Sequence, residues 1–110
     1  CWAAAEVLRL AALCVKYDVV LCSDEVWGEL PLSPDTAPFT SALSLLPDGA
    51  AAAAVPGIQS RLIVLTSPSK AFNVAGLDLS LAVIPDADLL ARFTWVGRDQ
   101  AEVTPFGYFG

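Results

Sequence analysis

Two short polar clusters hold the residues whose types could do covalent chemistry: Ser23-Asp24-Glu25 and Ser67-Pro68-Ser69-Lys70. A lysine amine can hold an aldehyde as a Schiff base. A carboxylate facing a ring nitrogen keeps it protonated through a charge-assisted hydrogen bond worth roughly 1.5–3 kcal/mol. Lys70 and Asp24 are the residue types for that pair of tasks. Taken singly, each has an ordinary reading: a solvated loop lysine, and a helix-capping or turn aspartate. Other chemistries find less support. The chain has no histidine, which excludes a Ser-His triad and a histidine-ligated zinc site within it. Its three cysteines (Cys1, Cys14, Cys22) lack CxxC spacing, so no metal site is expected and they read as reduced, buried small hydrophobes. Neither Gly-x-Gly-x-x-Gly nor Gly-x-x-x-x-Gly-Lys occurs, so a nucleotide loop is not expected.

The elements around the clusters must bring them together. Ala3 to Lys16 keeps apolar residues at Leu8, Ala11, Ala12 and Val15, the spacing of one helix face. Val19 to Cys22 is a continuous apolar run, as in a strand buried on both faces of a parallel sheet. Leu30 to Phe39, with three prolines, is loop, and Thr40 is expected to cap a short helix over Ser41 to Leu46. Pro47-Asp48-Gly49, five alanines and Pro56-Gly57 read as an insertion on a connecting loop without function of its own. Arg61 to Leu65 and Ser80 to Ile84 are two more apolar strands, and Asp86 or Asp88 caps a last helix through Leu89 to Phe93. The order predicts an α/β fold with a mainly parallel sheet. In such sheets ligands sit at the carboxyl ends of the strands, and both polar clusters fall at such ends.

Composition bounds the context. Of 110 residues, 55% are hydrophobic and 16% charged, more apolar than a self-contained domain of this size requires. The chain begins Cys-Trp and stops at Phe109-Gly110. Residues 1–110 are therefore expected to be a fragment of a larger domain, with N- and C-terminal parts of the protein absent. The net charge of −6 argues against nucleic acid, which needs clustered Lys and Arg. No run reaches the roughly 18 apolar residues of a membrane span, and Glu6 and Arg9 interrupt any signal-peptide core. A cytoplasmic location is expected, with an organelle as the alternative.

Longer stretches around the clusters sharpen the reading. Ser67-Pro68-Ser69-Lys70-Ala71-Phe72-Asn73-Val74-Ala75-Gly76-Leu77 resembles the Ser-x-Ser-Lys-x-Phe-Asn-x-x-Gly-Leu signature of class I/II aminotransferases, the fold-type-I pyridoxal-phosphate enzymes. Ser23-Asp24-Glu25-Val26-Trp27 is similar to that family's Asp-Glu-[Ile/Val]-aromatic motif. Thr36 to Leu43 is similar to the substrate-side loop that follows. The resemblance implies the parallel-sheet large domain of a three-layer α/β/α fold, with pyridoxal 5'-phosphate as cofactor. It implies that Lys70 holds the cofactor aldehyde and moves the substrate Cα proton, that Asp24 pairs with the pyridine nitrogen, and that Ser67 and Ser69 donate to the phosphate. Family members are homodimers acting on small amino acids, so a homodimer is expected of the full-length protein.

Two departures point to a branch. Where the ordinary aminotransferase has a tyrosine three residues after the aspartate, this chain has Trp27, which can donate but neither ionise nor accept. A direct indole hydrogen bond to the cofactor and plain packing over it are both compatible with that residue. Where the family has a phosphate-clamping arginine eight residues after the lysine, this chain has Asp78. At about 4 Å and an effective dielectric of about 20, each charge pair with the phosphate would cost about 4 kcal/mol, so Asp78 is expected to point away. Both departures, and Ser23 to Leu30 as a whole, resemble the carbon–sulfur lyase branch, which includes cystathionine β-lyase-like enzymes. The expected function is α,β-elimination from a cysteine-type amino acid. The alternatives are an aminotransferase, or a catalytically silent fragment or interaction module that keeps the fold.

Overall fold

The computed structural model describes residues 1–36, 38–46, 55–98 and 105. The first helix, α1, spans Ala4–Lys16 and buries Ala11 and Cys14. Its N-cap, Ala3, has no side-chain acceptor to offer; instead the Ala3 N–H donates to the Glu6 carboxylate at 2.8 Å, one half of a capping box. At the other end Asp18 takes a left-handed conformation, φ 57°, where glycine is usual. Arg61 holds it there, donating from Nε at 3.0 Å and Nη2 at 2.6 Å to Asp18 Oδ1, so the end of α1 is tied to the segment that begins the central strand.

Three strands form one sheet in the order β1-β2-β3: β1 is Leu21–Asp24, β2 Leu62–Thr66 and β3 Leu81–Val83. The first strand starts later than the apolar run predicts. Val19 is spent leaving the helix, its N–H donating back to the Cys14 carbonyl at 2.9 Å. Ser23 and Asp24 therefore lie within the strand rather than beyond it. The pair β1/β2 is parallel, with Leu21 opposite Leu62 and Asp24 opposite Leu65. The pair β2/β3 is antiparallel, Thr66 facing Leu81. The α/β class stands, but the third strand departs from a parallel arrangement for a topological reason. A parallel return needs a crossover, usually a helix along the sheet. The link from Thr66 to Leu81 stays at one sheet edge, with a single 3-10 turn at Ala75–Leu77.

Helices flank both faces through the alternation of β2. Leu62 and Val64 join Ala11, Ala42, Leu45, Val55 and Ile58 in the main core, under α1 and the 3-10 turns Ala42–Leu45 and Ile58–Arg61. Ile63, with Leu65 beside it, meets Ile84 and Leu89 on the opposite face. Leu89 belongs to α2, Ala87–Gly97, whose N-cap is Asp86: its carboxylate accepts from Leu89 N–H at 2.8 Å. Ser41, not Thr40, caps the turn at Ala42, its hydroxyl accepting from Leu43 N–H at 3.2 Å.

Burial on both faces holds for β2 alone. Cys22 and Asp24 on β1 and all of β3 are exposed, because among the described residues each of these strands has a sheet neighbour on one side. The same reason corrects the reading of Cys22, and Cys1 lies ahead of α1 at the start of the chain. All three are unpaired, yet Cys14 alone is buried, while Cys1 and Cys22 are exposed. Residues 47–54 of the alanine-rich segment, like Asp99, Gln100 and Glu102, lie outside the described residues. No described helix is long and apolar enough to cross a membrane.

Candidate active site

Parallel pairing puts the carboxyl ends of β1 and β2 at one edge of the sheet. Asp24 closes β1, and the ladder runs one bond further, Glu25 N–H donating to the Leu65 carbonyl at 2.8 Å. The chain then turns sharply, with Gly28 N–H donating to the Glu25 carbonyl at 2.9 Å. This turn carries Trp27, two-thirds exposed, back toward the neighbouring strand end. There β2 runs into the turn Ser67–Lys70, and Lys70 Nζ lies 5.7 Å from the centre of the Trp27 ring. That distance is within cation–π range. Residues far apart in the chain thus meet across the strand ends.

Asp24 is exposed, and Oδ1 accepts a long 3.3 Å hydrogen bond from Val26 N–H. A carboxylate has about four acceptor positions, so this bond leaves room for a further donor. The serines of the lysine turn are tied to each other. Ser67 Oγ accepts from Ser69 N–H at 3.0 Å and lies 2.7 Å from the Leu79 carbonyl and 2.6 Å from Ser69 Oγ. A carbonyl can only accept, so the single Ser67 proton goes to Leu79 and the Ser69 hydroxyl supplies the proton between the two serines. The turn is closed beyond Lys70 by Phe72 N–H to Pro68 O at 3.1 Å and Val74 N–H to Ser69 O at 3.1 Å. Asn73, at φ 52°, makes the left-handed step between them. Asp78 is exposed and itself left-handed, φ 54°, ending the 3-10 turn before Leu79.

A cavity of about 470 Å³ opens on the β1 side of this edge. Asp24, Trp27 and Phe39 line it, together with Trp2 ahead of α1 and Glu6 and Leu10 on that helix. Lys70, Ser67 and Ser69 are not among its lining residues; the lysine turn stands beside the cavity, with the Trp27 ring as the element common to both. No group of three or more potential metal ligands occurs among the described residues.

Sequence reasoning passed over three residues here. Glu25 Oε1 accepts from Ser23 Oγ at 2.9 Å and from Ala42 N–H at 2.7 Å. Phe39 lies flat on Gly28, so close that a Cβ there would sit 2.5–2.9 Å from three ring carbons. The glutamate was visible as the neighbour of Asp24, but its partner is an amide seventeen residues on, and no spacing rule links them. Gly28 gave a weaker signal still, because its requirement is the approach of a ring rather than a backbone angle.

No family model matches the chain. Individual relatives do. The cystathionine β-lyase PatB of Bacillus subtilis is 34% identical over 94 residues, covering 84% of this chain and 21% of that protein. The putative aminotransferase YugH of the same organism is 32% identical over 80 residues, 73% of this chain and 17% of that protein. Among solved structures, cystalysin from Treponema denticola, which contains a pyridoxal 5'-phosphate cofactor, superposes with a TM-score of 0.69 at 27% identity, covering 96% of this chain and 24% of that one. The chain spans about a fifth of the length of the curated relatives it matches. By sequence and by fold alike, its relatives are pyridoxal-phosphate-dependent proteins of the class I/II aminotransferase type, C–S lyases among them, and the chain has the fold of that family.

Proposed function

We propose that this chain is part of the cofactor-binding large domain of a pyridoxal-phosphate-dependent C–S lyase, which eliminates a thiolate from the β-carbon of a cysteine-type amino acid such as cystathionine. The observation that supports it most is the meeting of the Lys70 amine with the Trp27 ring at the sheet edge that ends in Asp24. The residues present fit the cofactor. An amine and an acceptor-rich carboxylate stand on neighbouring strand ends, and the cavity beside Asp24 shares the Trp27 ring with the lysine turn. Lys70 would bind the aldehyde, Asp24 would hold the ring nitrogen, and Trp27 would cover or hydrogen-bond the ring. Of the two serines expected at the phosphate, Ser69 can turn its proton outward to a phosphate oxygen, whereas Ser67 would have to release the Leu79 carbonyl to donate there. When bound, the cofactor supplies a protonated ring that draws electron density from the substrate Cα.

Within that arrangement Lys70 acts as general base. Once the substrate amine takes its place on the aldehyde, the freed Lys70 amine accepts the Cα proton of the substrate amino acid, and departure of the β-thiolate, with one water consumed, leads to thiol, pyruvate and ammonia. The likeness to a cystathionine β-lyase supports this branch. An aminotransferase begins with the same proton transfer, and the likeness to a putative aminotransferase supports that second reading. In it Lys70 delivers the proton to the cofactor carbon instead. We also propose that the whole protein is a homodimer, and that the three unpaired cysteines suit a reducing, cytoplasmic setting. On its own the 110-residue chain should bind cofactor weakly and turn over nothing useful.

The test is to treat the whole protein with pyridoxal phosphate, reduce with borohydride and locate the modified peptide by mass. Label on Lys70 that is lost in Lys70→Ala, followed by pyruvate release from cystathionine, is the expected result. Label spread over Lys16 and Lys70 alike, or no label, would sink the enzyme reading in favour of a silent fold.

A further inference from the structure

We propose that Glu25 is a positioning residue that latches the strap Pro38 to Ala42 across the end of β1, and thereby sets how Asp24 and Trp27 face the cofactor. The inference rests on the cofactor reading above but concerns a residue to which that reading gives no role. The strap is held at two independent points. At one, Glu25 Oε1 receives the Ala42 N–H at 2.7 Å and the Ser23 hydroxyl at 2.9 Å. One carboxylate oxygen therefore joins the strand, its own turn and the start of the Ala42–Leu45 turn, whose first amide would otherwise need water. At the other, the Phe39 ring lies against Gly28, where no Cβ intervenes. The two anchor points bracket Val26 and Trp27 in the chain. Asp24, Trp27, Phe39, Thr40 and Ala42 all line the same cavity, so a strap that moves reshapes the wall that faces the ring.

The geometry makes the two anchors separable by mutation. Glu25→Gln keeps an oxygen acceptor at the same reach, whereas Glu25→Ala removes it. Gly28→Ala leaves Glu25 intact but drives the ring off, because the new methyl would overlap Phe39. Gly28 is not in the left-handed region, so backbone strain does not confuse the result. Ile84→Val, in the smaller core on the opposite face of the sheet, serves as a variant that lowers stability without touching the latch.

The experiment measures three quantities in the whole protein: cofactor dissociation constant by absorbance, hydrogen exchange at the Ala42 amide, and melting temperature. Glu25→Ala is expected to weaken cofactor binding about tenfold, the size of one charge-assisted hydrogen bond, and to speed exchange at Ala42. Glu25→Gln should stay within about twofold of wild type, with slow exchange retained. Gly28→Ala should weaken binding while Ile84→Val lowers the melting temperature and leaves binding unchanged. Wild-type-like binding by Glu25→Ala overturns the proposal, and so does a loss of binding in Glu25→Ala no greater than in Ile84→Val at matched stability. Failure of the wild-type protein to bind cofactor would overturn the cofactor reading itself and take the latch with it. Cofactor binding by wild type with an indifferent Glu25→Ala would overturn the latch alone.

Discussion

The two strand ends of the candidate site are braced differently. The end of β2 is braced mainly from within: Ser67 to Ser69, Phe72 to Pro68 and Val74 to Ser69 are contacts between near neighbours, with Leu79 as the one more distant partner. The end of β1 has near-neighbour bonds too, Gly28 N–H to Glu25 O and Val26 N–H to Asp24 Oδ1, but it is also braced from afar, Glu25 reaching Ala42 and Gly28 receiving Phe39. The lysine turn can thus take its shape from its own sequence, whereas the aspartate end depends on a strap anchored in the main core. The structure of a site can be local in one half and tertiary in the other, and damage to the core should reach the two halves unequally.

The largest expected effect tests that asymmetry directly. Leu45, 1% exposed, sits in the 3-10 turn that follows the strap. Leu45→Ala should cost about 2–5 kcal/mol of stability in denaturant unfolding of the whole protein. Hydrogen exchange should rise at Ala42 while Phe72 and Val74 stay protected. Equal loss of protection at both strand ends would erase the distinction. Smaller, and in the opposite sense, Ser67→Ala removes the acceptor for Ser69 N–H and the donor to Leu79. It should cost about 1 kcal/mol, raise exchange at Ser69 and leave Ala42 unchanged; a response at Ala42 would mean that the halves are coupled. Smallest is the contact that joins them. An exposed cation–π pair is worth about 0.5–1 kcal/mol. Trp27→Leu should therefore cost about that much in denaturant unfolding of the whole protein, with Trp27→Phe between it and wild type. Equal stability of all three proteins would show that the ring does not hold Lys70.

The same contrast decides what could be read in advance. The lysine turn was legible because its constraints are short-range: Ser-Pro-Ser-Lys and Phe-Asn-x-x-Gly-Leu specify a turn whose hydrogen bonds span a few residues. Asp24 was legible as a residue type at a strand end, and α1 through its period of 3.6. The start of β1 was missed because Val19 and Val20, apolar and β-branched, fit a strand, yet the left-handed Asp18 and its Arg61 partner occupy that length in leaving the helix. The direction of β3 was missed because an apolar strand reads the same forward and backward; the missing crossover helix between Thr66 and Leu81 was the available signal.

On its own, then, the sequence determined the α/β class, the two chemical clusters at strand ends and the likeness to an aminotransferase-type fold. Each of these rests on residue type, short spacing or period, which a chain displays before it folds. Tertiary structure alone decided that Trp27 lies over Lys70, that Glu25 closes a latch on Ala42, that Phe39 rests on Gly28 and that Cys22 and β3 remain exposed. These depend on which distant segments pack together, and packing is settled by shape and burial rather than by any pattern along the chain.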